Sequence, residues 1–132
     1  MLTIRPEQLK AFSAAKRQGF EEQLNTYLVS AFPREIQALN LTLPGIKSVA
    51  DLIRHGIARA NAYGLEAERD VGRFVELMVR LDPLFESRRD MAWATSILKN
   101  ASLTPHARIE LVHEMMPRKM PLAGWPAPPV ST

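Results

Sequence analysis

The chain contains no cysteine, which excludes disulfide bonds, thiolate metal ligands and thiol nucleophiles together. Glycine is scarce, and the six glycines are scattered along the chain, so a glycine-rich loop that cradles phosphate is not predicted. The excess of basic over acidic residues is also small, 17 against 14, and the two signs are interleaved. A nucleic-acid-binding protein usually concentrates positive charge on one face, so we expect no nucleic-acid partner.

Long apolar runs are missing as well. No stretch approaches the roughly 20 apolar residues that cross a bilayer, and the first six residues lack the apolar core of a secretion signal. We therefore expect a cytoplasmic protein without a membrane partner, unless another protein carries it out of the cell.

What the sequence does contain is apolar residues at helical spacing. The 132 residues are 46% hydrophobic, which is enough for one core, and their periodicity predicts an all-α fold with a single compact domain of five to six helices. The predicted helices cover about 6–32, 34–39, 48–63, 67–81, 91–98 and 105–116.

Several residues mark the ends of these helices. Ser48, with Asp51 three residues later, is typical of a helix start, and Gly64 is typical of a left-handed helix end. Asp90 is predicted to cap the fifth helix and Thr104 the sixth. Because helices 48–63 and 67–81 are joined by a very short connection, we expect them to be packed neighbours.

The composition changes near the C-terminus. Residues 117–132 hold five of the ten prolines and no acidic residue, which predicts an extended, polyproline-like arm after a helical domain that covers 1–116. Trp125 lies in this arm, which cannot build a core of its own, so we expect its side chain to be either exposed or docked.

No cluster of residues predicts chemistry. His106, Glu110 and His113 lie on one side of the last helix, but their spacing matches neither a zinc-protease motif nor a complete di-iron set. We interpret them as a polar helix face and predict no metal, no cofactor and no catalytic residue.

Large apolar residues close to loops and the arm are the candidate contacts for a protein partner, because tryptophan and methionine are common at interfaces. The candidates are Phe85, Met91, Trp93, Met120, Trp125 and Pro126. For Phe85 and Trp93 the alternative is that they simply cover the core.

The stretch from Tyr63 to Leu98 resembles a family of small bacterial proteins encoded beside type VI secretion components, which include the VgrG spike, PAAR-tip proteins, effectors and effector chaperones. The matching residues are Tyr63-Gly64-Leu65, Glu68-Arg69-Asp70-Val71, Arg73-Phe74-Val75-Glu76-Leu77-Met78, Pro83-Leu84-Phe85, Ala92-Trp93-Ala94 and Ile97-Leu98, and the opening Ile4-Arg5-Pro6-Glu7-Gln8 is also similar. The chain departs from the family at Asp82, where glycine is expected, at Ala92, where proline is expected, and in the arm.

The resemblance implies a non-catalytic adaptor or co-chaperone that helps an effector chaperone load its cargo onto the secretion spike. An immunity protein that neutralises a toxin is the alternative. A third interpretation, a small DNA-binding regulator, treats helices 48–63 and 67–81 as a helix-turn-helix with Arg69, Arg73 and Arg80 facing DNA. The acidic residues on the same helix argue against it.

Overall fold

The computed structural model describes residues 6–39 and 41–119, with side chains from residue 18 onward. In this part of the chain there are six α-helices and no strand, so the predicted all-α fold is confirmed. The helices are α1 (Pro6–Ala31), α2 (Pro33–Ala38), α3 (Val49–Ala62), α4 (Glu68–Arg80), α5 (Ala92–Leu98) and α6 (Pro105–Lys119), with two 3₁₀ turns at Phe85–Ser87 and Arg89–Met91.

Helix α4 is the centre of the bundle. It packs against α1, α2, α3 and α6, and eight of its 13 residues are therefore buried. The sequence predicts a single apolar stripe on this helix, but even the acidic side chains of Asp70 and Glu76 lie inside. The α3–α4 pair packs directly, as predicted, and most closely at Gly56, where an added Cβ would lie 2.7 Å from the Val75 side chain.

The aromatic centre of the core lies between α3, α4 and the first 3₁₀ turn. Phe74 is fully buried, with its ring centroid 5.2 Å from that of Phe85 and 5.9 Å from that of Tyr63. These three rings connect the turn to the two central helices, so the loop after α4 is anchored by the buried Phe85 side chain.

Three predicted helix ends are confirmed by the structure. The Ser48 hydroxyl accepts a hydrogen bond of 3.1 Å from the Asp51 amide, and the Thr104 hydroxyl accepts one of 3.1 Å from the Ala107 amide. Gly64, after α3, has a φ of 86°, the left-handed conformation that favours glycine.

Two other predicted ends are wrong. Asp90 does not cap α5, because its carboxylate pairs with Arg88 at 2.6 Å and a 3₁₀ turn leads into the helix instead. Helix α6 does not stop before Pro117 but continues to Lys119. A proline inside a helix removes one backbone hydrogen bond and crowds the preceding turn, but Pro117 lies close to the end of α6 and Met116 beside it is buried in the core. Residues 117–119 therefore belong to α6, and the rest of the predicted arm lies outside the described residues.

The Ser48 cap provides a direct test of the local structure. Ser48→Ala removes the only side-chain partner shown for the Asp51 amide, so we expect the free energy of unfolding to fall by about 1 kcal/mol. Ser96→Ala, at an exposed position inside α5, is the matched control and should change it by less than about 0.5 kcal/mol. Equal effects in urea denaturation would show that the cap contributes nothing.

Candidate partner-binding groove

An open groove of about 400 Å³ runs between α1 and α4. The α1 wall carries Phe20 and Tyr27, which lie seven residues apart and so on the same side of the helix, and the α4 wall carries charged side chains. The residues that line the groove are Phe20, Gln23, Leu24, Tyr27, Glu68, Arg69, Gly72, Arg73 and Glu76.

The floor of the groove is apolar because Leu24 of α1 lies against Gly72 of α4. A Cβ added at Gly72 would lie 3.8 Å from Cδ1 of Leu24, and Leu24 itself is buried. Phe20 packs against the same core from one end of the groove. The floor of the groove is thus continuous with the hydrophobic core.

Tyr27 is an exposed aromatic side chain held in one position. Its hydroxyl donates a hydrogen bond of 2.9 Å to Oε1 of Glu76, and its ring meets that of Phe32 edge to face at 6.1 Å. Burial of the hydroxyl and the neighbouring carboxylate raise the pKa of Tyr27, so the phenol keeps the proton that it donates. Yet 47% of the residue is exposed, which leaves the ring available to a partner.

Two charged side chains of the α4 wall, Arg69 and Arg73, are paired with Glu110 of α6. Arg73 donates to Oε2 of Glu110 at 3.0 Å, and Arg69 lies 3.8 Å from the other carboxylate oxygen. Nε of Arg73 and Oε1 of Glu110 are buried without a hydrogen-bond partner, so this pair is not saturated. The wall is therefore polar but nearly neutral.

The polar residues of α6 connect this wall to the rest of the bundle. Nδ1 of His106 lies 2.6 Å from Oδ1 of Asp70, and Nε2 of His113 lies 2.8 Å from the backbone oxygen of Arg73. The predicted polar face of α6 is thus a seam of contacts with α4. His106 contacts Asp70, whereas Glu110 and His113 both contact Arg73, through its side chain and its backbone oxygen respectively. No group of three or more potential metal ligands occurs among the described residues.

A second polar cluster holds the first 3₁₀ turn on α3. The carboxylate of Glu86 accepts hydrogen bonds from Nε and Nη2 of Arg59, at 2.9 and 2.7 Å, and from the Tyr63 hydroxyl at 2.6 Å. Burial, followed by the bond to Glu86, raises the pKa of Tyr63 to about 12, while the Arg59 and Tyr63 hydrogen bonds keep the pKa of Glu86 below its usual value despite burial. These mutual bonds give the cluster a structural role.

The predicted contact residues fall into three groups. Phe85 and Met91 are fully buried in the core, so in this conformation they cannot touch a partner, and the prediction is corrected for both. Trp93 is half-buried, packs on the core and buries its indole N–H without a hydrogen-bond partner. Met120, Trp125 and Pro126 lie outside the described residues.

Sequence reasoning missed the groove itself, although a signal was present. Tyr27 and Ala31 belong to the apolar stripe of α1 by their spacing, yet both are exposed in the structure. The three arginines of the helix-turn-helix interpretation are not presented together: Arg73 pairs with Glu110, and Arg80 lies over the Phe32 ring at 5.1 Å.

No protein-family model, curated protein or solved structure matches this chain at a significant level. Across the described residues, no helix is both long enough and apolar enough to span a membrane.

Proposed function

We propose that the protein is a non-catalytic adaptor or co-chaperone that binds a protein partner through the α1–α4 groove, and that the partner is a type VI secretion effector, its chaperone, or both. The observation that carries the proposal is the Tyr27 side chain, which is exposed beside an apolar floor while its hydroxyl is hydrogen-bonded to Glu76. A preorganised aromatic side chain loses little entropy on binding, and tyrosine is among the residues enriched at the energetic centres of interfaces.

The shape of the groove favours a protein over a small molecule. Sites for small ligands enclose most of the ligand surface, whereas this groove is open along one side. Its two arginines are paired with Glu110 of α6 and do not point together into the groove as a ligand site would require. A groove with an apolar floor and polar edges can bind the side chains along one face of a helix or an extended peptide.

The resemblance supplies the secretion context. The stretches Glu68–Val71 and Arg73–Met78 that resemble the type VI-associated family supply most of the α4 wall of the groove. The same resemblance includes Tyr63 and Phe85, which hold the 3₁₀ turn against the core. The similarity therefore covers both the wall that we propose to bind a partner and the residues that support it.

Substitution of Tyr27 tests the proposal. We expect Tyr27→Ala to weaken binding to an effector chaperone of the same type VI system about tenfold, or about 1.4 kcal/mol, because the substitution removes the exposed ring. Val29→Ala is the matched control, since Val29 is equally exposed on α1 but lies outside the groove. Titration calorimetry on the purified proteins would measure both affinities.

Three other outcomes would contradict the proposal. Equal affinities of the two variants would remove the groove from the binding site. Binding to a toxin domain, with no chaperone contact, would favour the immunity function. Binding to DNA that falls steeply as the salt concentration rises would favour a regulator.

A further inference from the structure

Gly72 is a glycine that the fold itself does not require. A glycine inside a helix lowers stability relative to alanine, because it gives the unfolded chain more freedom. At Gly56 the fold explains the residue, since an added Cβ would lie 2.7 Å from the Val75 side chain. At Gly72 the nearest atom of another helix, among the described residues, is Cδ1 of Leu24 at an ordinary contact distance of 3.8 Å. An alanine would therefore fit, and the absence of a side chain leaves space in the groove.

The space at Gly72 lies in the middle of the groove. Leu24 of α1 lies against this glycine, and Tyr27, about one turn later on α1, binds Glu76, about one turn later on α4. The two helices therefore run side by side in the same direction, and Phe20 lies at the end of the groove near the start of α4. An apolar side chain that enters at the glycine would contact Leu24 and lie next to the Tyr27 ring.

An occupant of the groove has to satisfy its own backbone hydrogen bonds. Both walls are helices, whose backbone groups are bonded within each helix. The Tyr27 hydroxyl already binds Glu76, and the Arg73 side chain already binds Glu110. An extended segment would therefore bury backbone N–H and C=O groups without partners, which is costly. A helix forms these bonds internally, so that only its side chains have to fit.

The charges of the groove favour a basic residue on the occupant. The two arginines of the α4 wall are paired with Glu110, and Glu76 is buried. Glu68 is exposed in the first turn of α4 and lines the groove, and no ion pair joins its carboxylate to another described residue. Because Glu68 lies one turn before Gly72, a lysine or arginine one turn from the inserted apolar side chain would complement this charge.

We propose that the α1–α4 groove binds one amphipathic α-helix of the protein partner, which inserts a bulky apolar side chain at Gly72 and places a lysine or arginine against Glu68. The inference rests on the proposed function and names the part of the partner that enters the groove. Gly72 then determines specificity, because any larger residue at this position closes the space that the partner side chain fills.

Synthetic helical peptides test the proposal on the full chain without any secretion protein. The first peptide is an alanine-based, hydrocarbon-stapled helix with leucines along one face and lysines one turn before and one turn after the central leucine. The second peptide has glutamates in place of those lysines. The third peptide lacks the staple and has a central proline, which breaks the helix. Fluorescence anisotropy of the labelled peptides measures their affinities for the protein.

We expect Gly72→Leu to weaken binding of the lysine peptide by about tenfold or more, because the new side chain fills the space. Gly19→Leu is the matched control, since Gly19 is an exposed glycine of α1 outside the groove lining, and it should change the affinity by less than about twofold. Gly72→Ala should raise the Tm by about 2–5 °C, which verifies that the fold does not need the glycine.

The charge of Glu68 is tested with the same peptides. The wild-type protein should bind the lysine peptide about threefold more tightly than the glutamate peptide, the size expected for an exposed ion pair. Glu68→Lys should reverse this preference.

Four results would overturn the proposal: no binding of the lysine peptide, equal binding of the proline peptide, equal affinities of the two leucine variants, or a lower Tm for Gly72→Ala. A wild-type dimer in sedimentation equilibrium that Gly72→Leu converts to a monomer would also overturn it, because a second copy would then fill the groove. The Tyr27→Ala experiment with the effector chaperone uses a different ligand, so failure of either experiment is distinguishable from failure of the other.

Discussion

Phe85→Ala is expected to lower the free energy of unfolding by about 3–5 kcal/mol, the usual cost of removing a fully buried phenylalanine ring. The side chain is 0% exposed and packs against Phe74, so its removal leaves a cavity at the centre of the core. Thermal or chemical denaturation of the purified variant would measure the loss.

The neighbouring residue provides the control for this experiment. Leu84 is 39% exposed, and Leu84→Ala should change the free energy of unfolding by no more than about 0.5 kcal/mol. If Phe85 were instead a partner contact, Phe85→Ala would leave stability unchanged and would weaken binding. The two substitutions together therefore separate a core role from an interface role for this part of the chain.

The second large effect is a loss of stability in acid that depends on His113. Burial, with a smaller contribution from the charge of Arg73, lowers the pKa of His113 from 6.5 to about 4, although its bond to the Arg73 carbonyl and the charge of Glu110 oppose the shift. Between these two pH values the unfolded chain binds a proton at this position and the folded protein does not. The contribution of His113 to the free energy of unfolding is therefore fully present above pH 6.5 and is lost as the pH falls toward 4.

The expected loss between pH 7 and pH 4 is about 3 kcal/mol, because each pKa unit corresponds to about 1.4 kcal/mol. His113→Gln can still donate to the Arg73 carbonyl but does not titrate. Urea denaturation of this variant between pH 7 and pH 4 should therefore lack the loss of stability that comes from His113. His55→Gln on α3 is the control and should keep the acid dependence. An unaltered pH profile in His113→Gln would show that another group is responsible.

The groove between α1 and α4 could be predicted from the sequence only in part. The apolar spacing of α1 and α4 predicts that each helix has a buried side, and this is correct at Leu24, Leu28 and Phe74. It does not predict that Gly72 of α4 lies against Leu24 of α1, or that Tyr27 remains exposed while its hydroxyl reaches Glu76. Such contacts depend on residues 49 positions apart in the chain, which no local pattern relates.

The same distinction explains the corrected predictions. Phe85 and Met91 lie next to proline, polar residues and turns, which by local criteria are typical of a surface. In the structure both side chains enter the core, because the 3₁₀ turns direct them inward. The charged residues of α4 are likewise typical of an exposed helix by composition, yet Asp70 and Glu76 are buried because helices pack around α4 on several sides.

The sequence by itself determined the helices and most of their ends, since helical periodicity, caps such as Ser48 and stops such as Gly64 act within a few residues along the chain. Only the tertiary structure decided which helix is central, which polar side chains form the seam between α4 and α6, and where the groove opens. The physical reason is that burial and pairing depend on side chains that folding brings together from distant positions, whereas helix formation depends on neighbours.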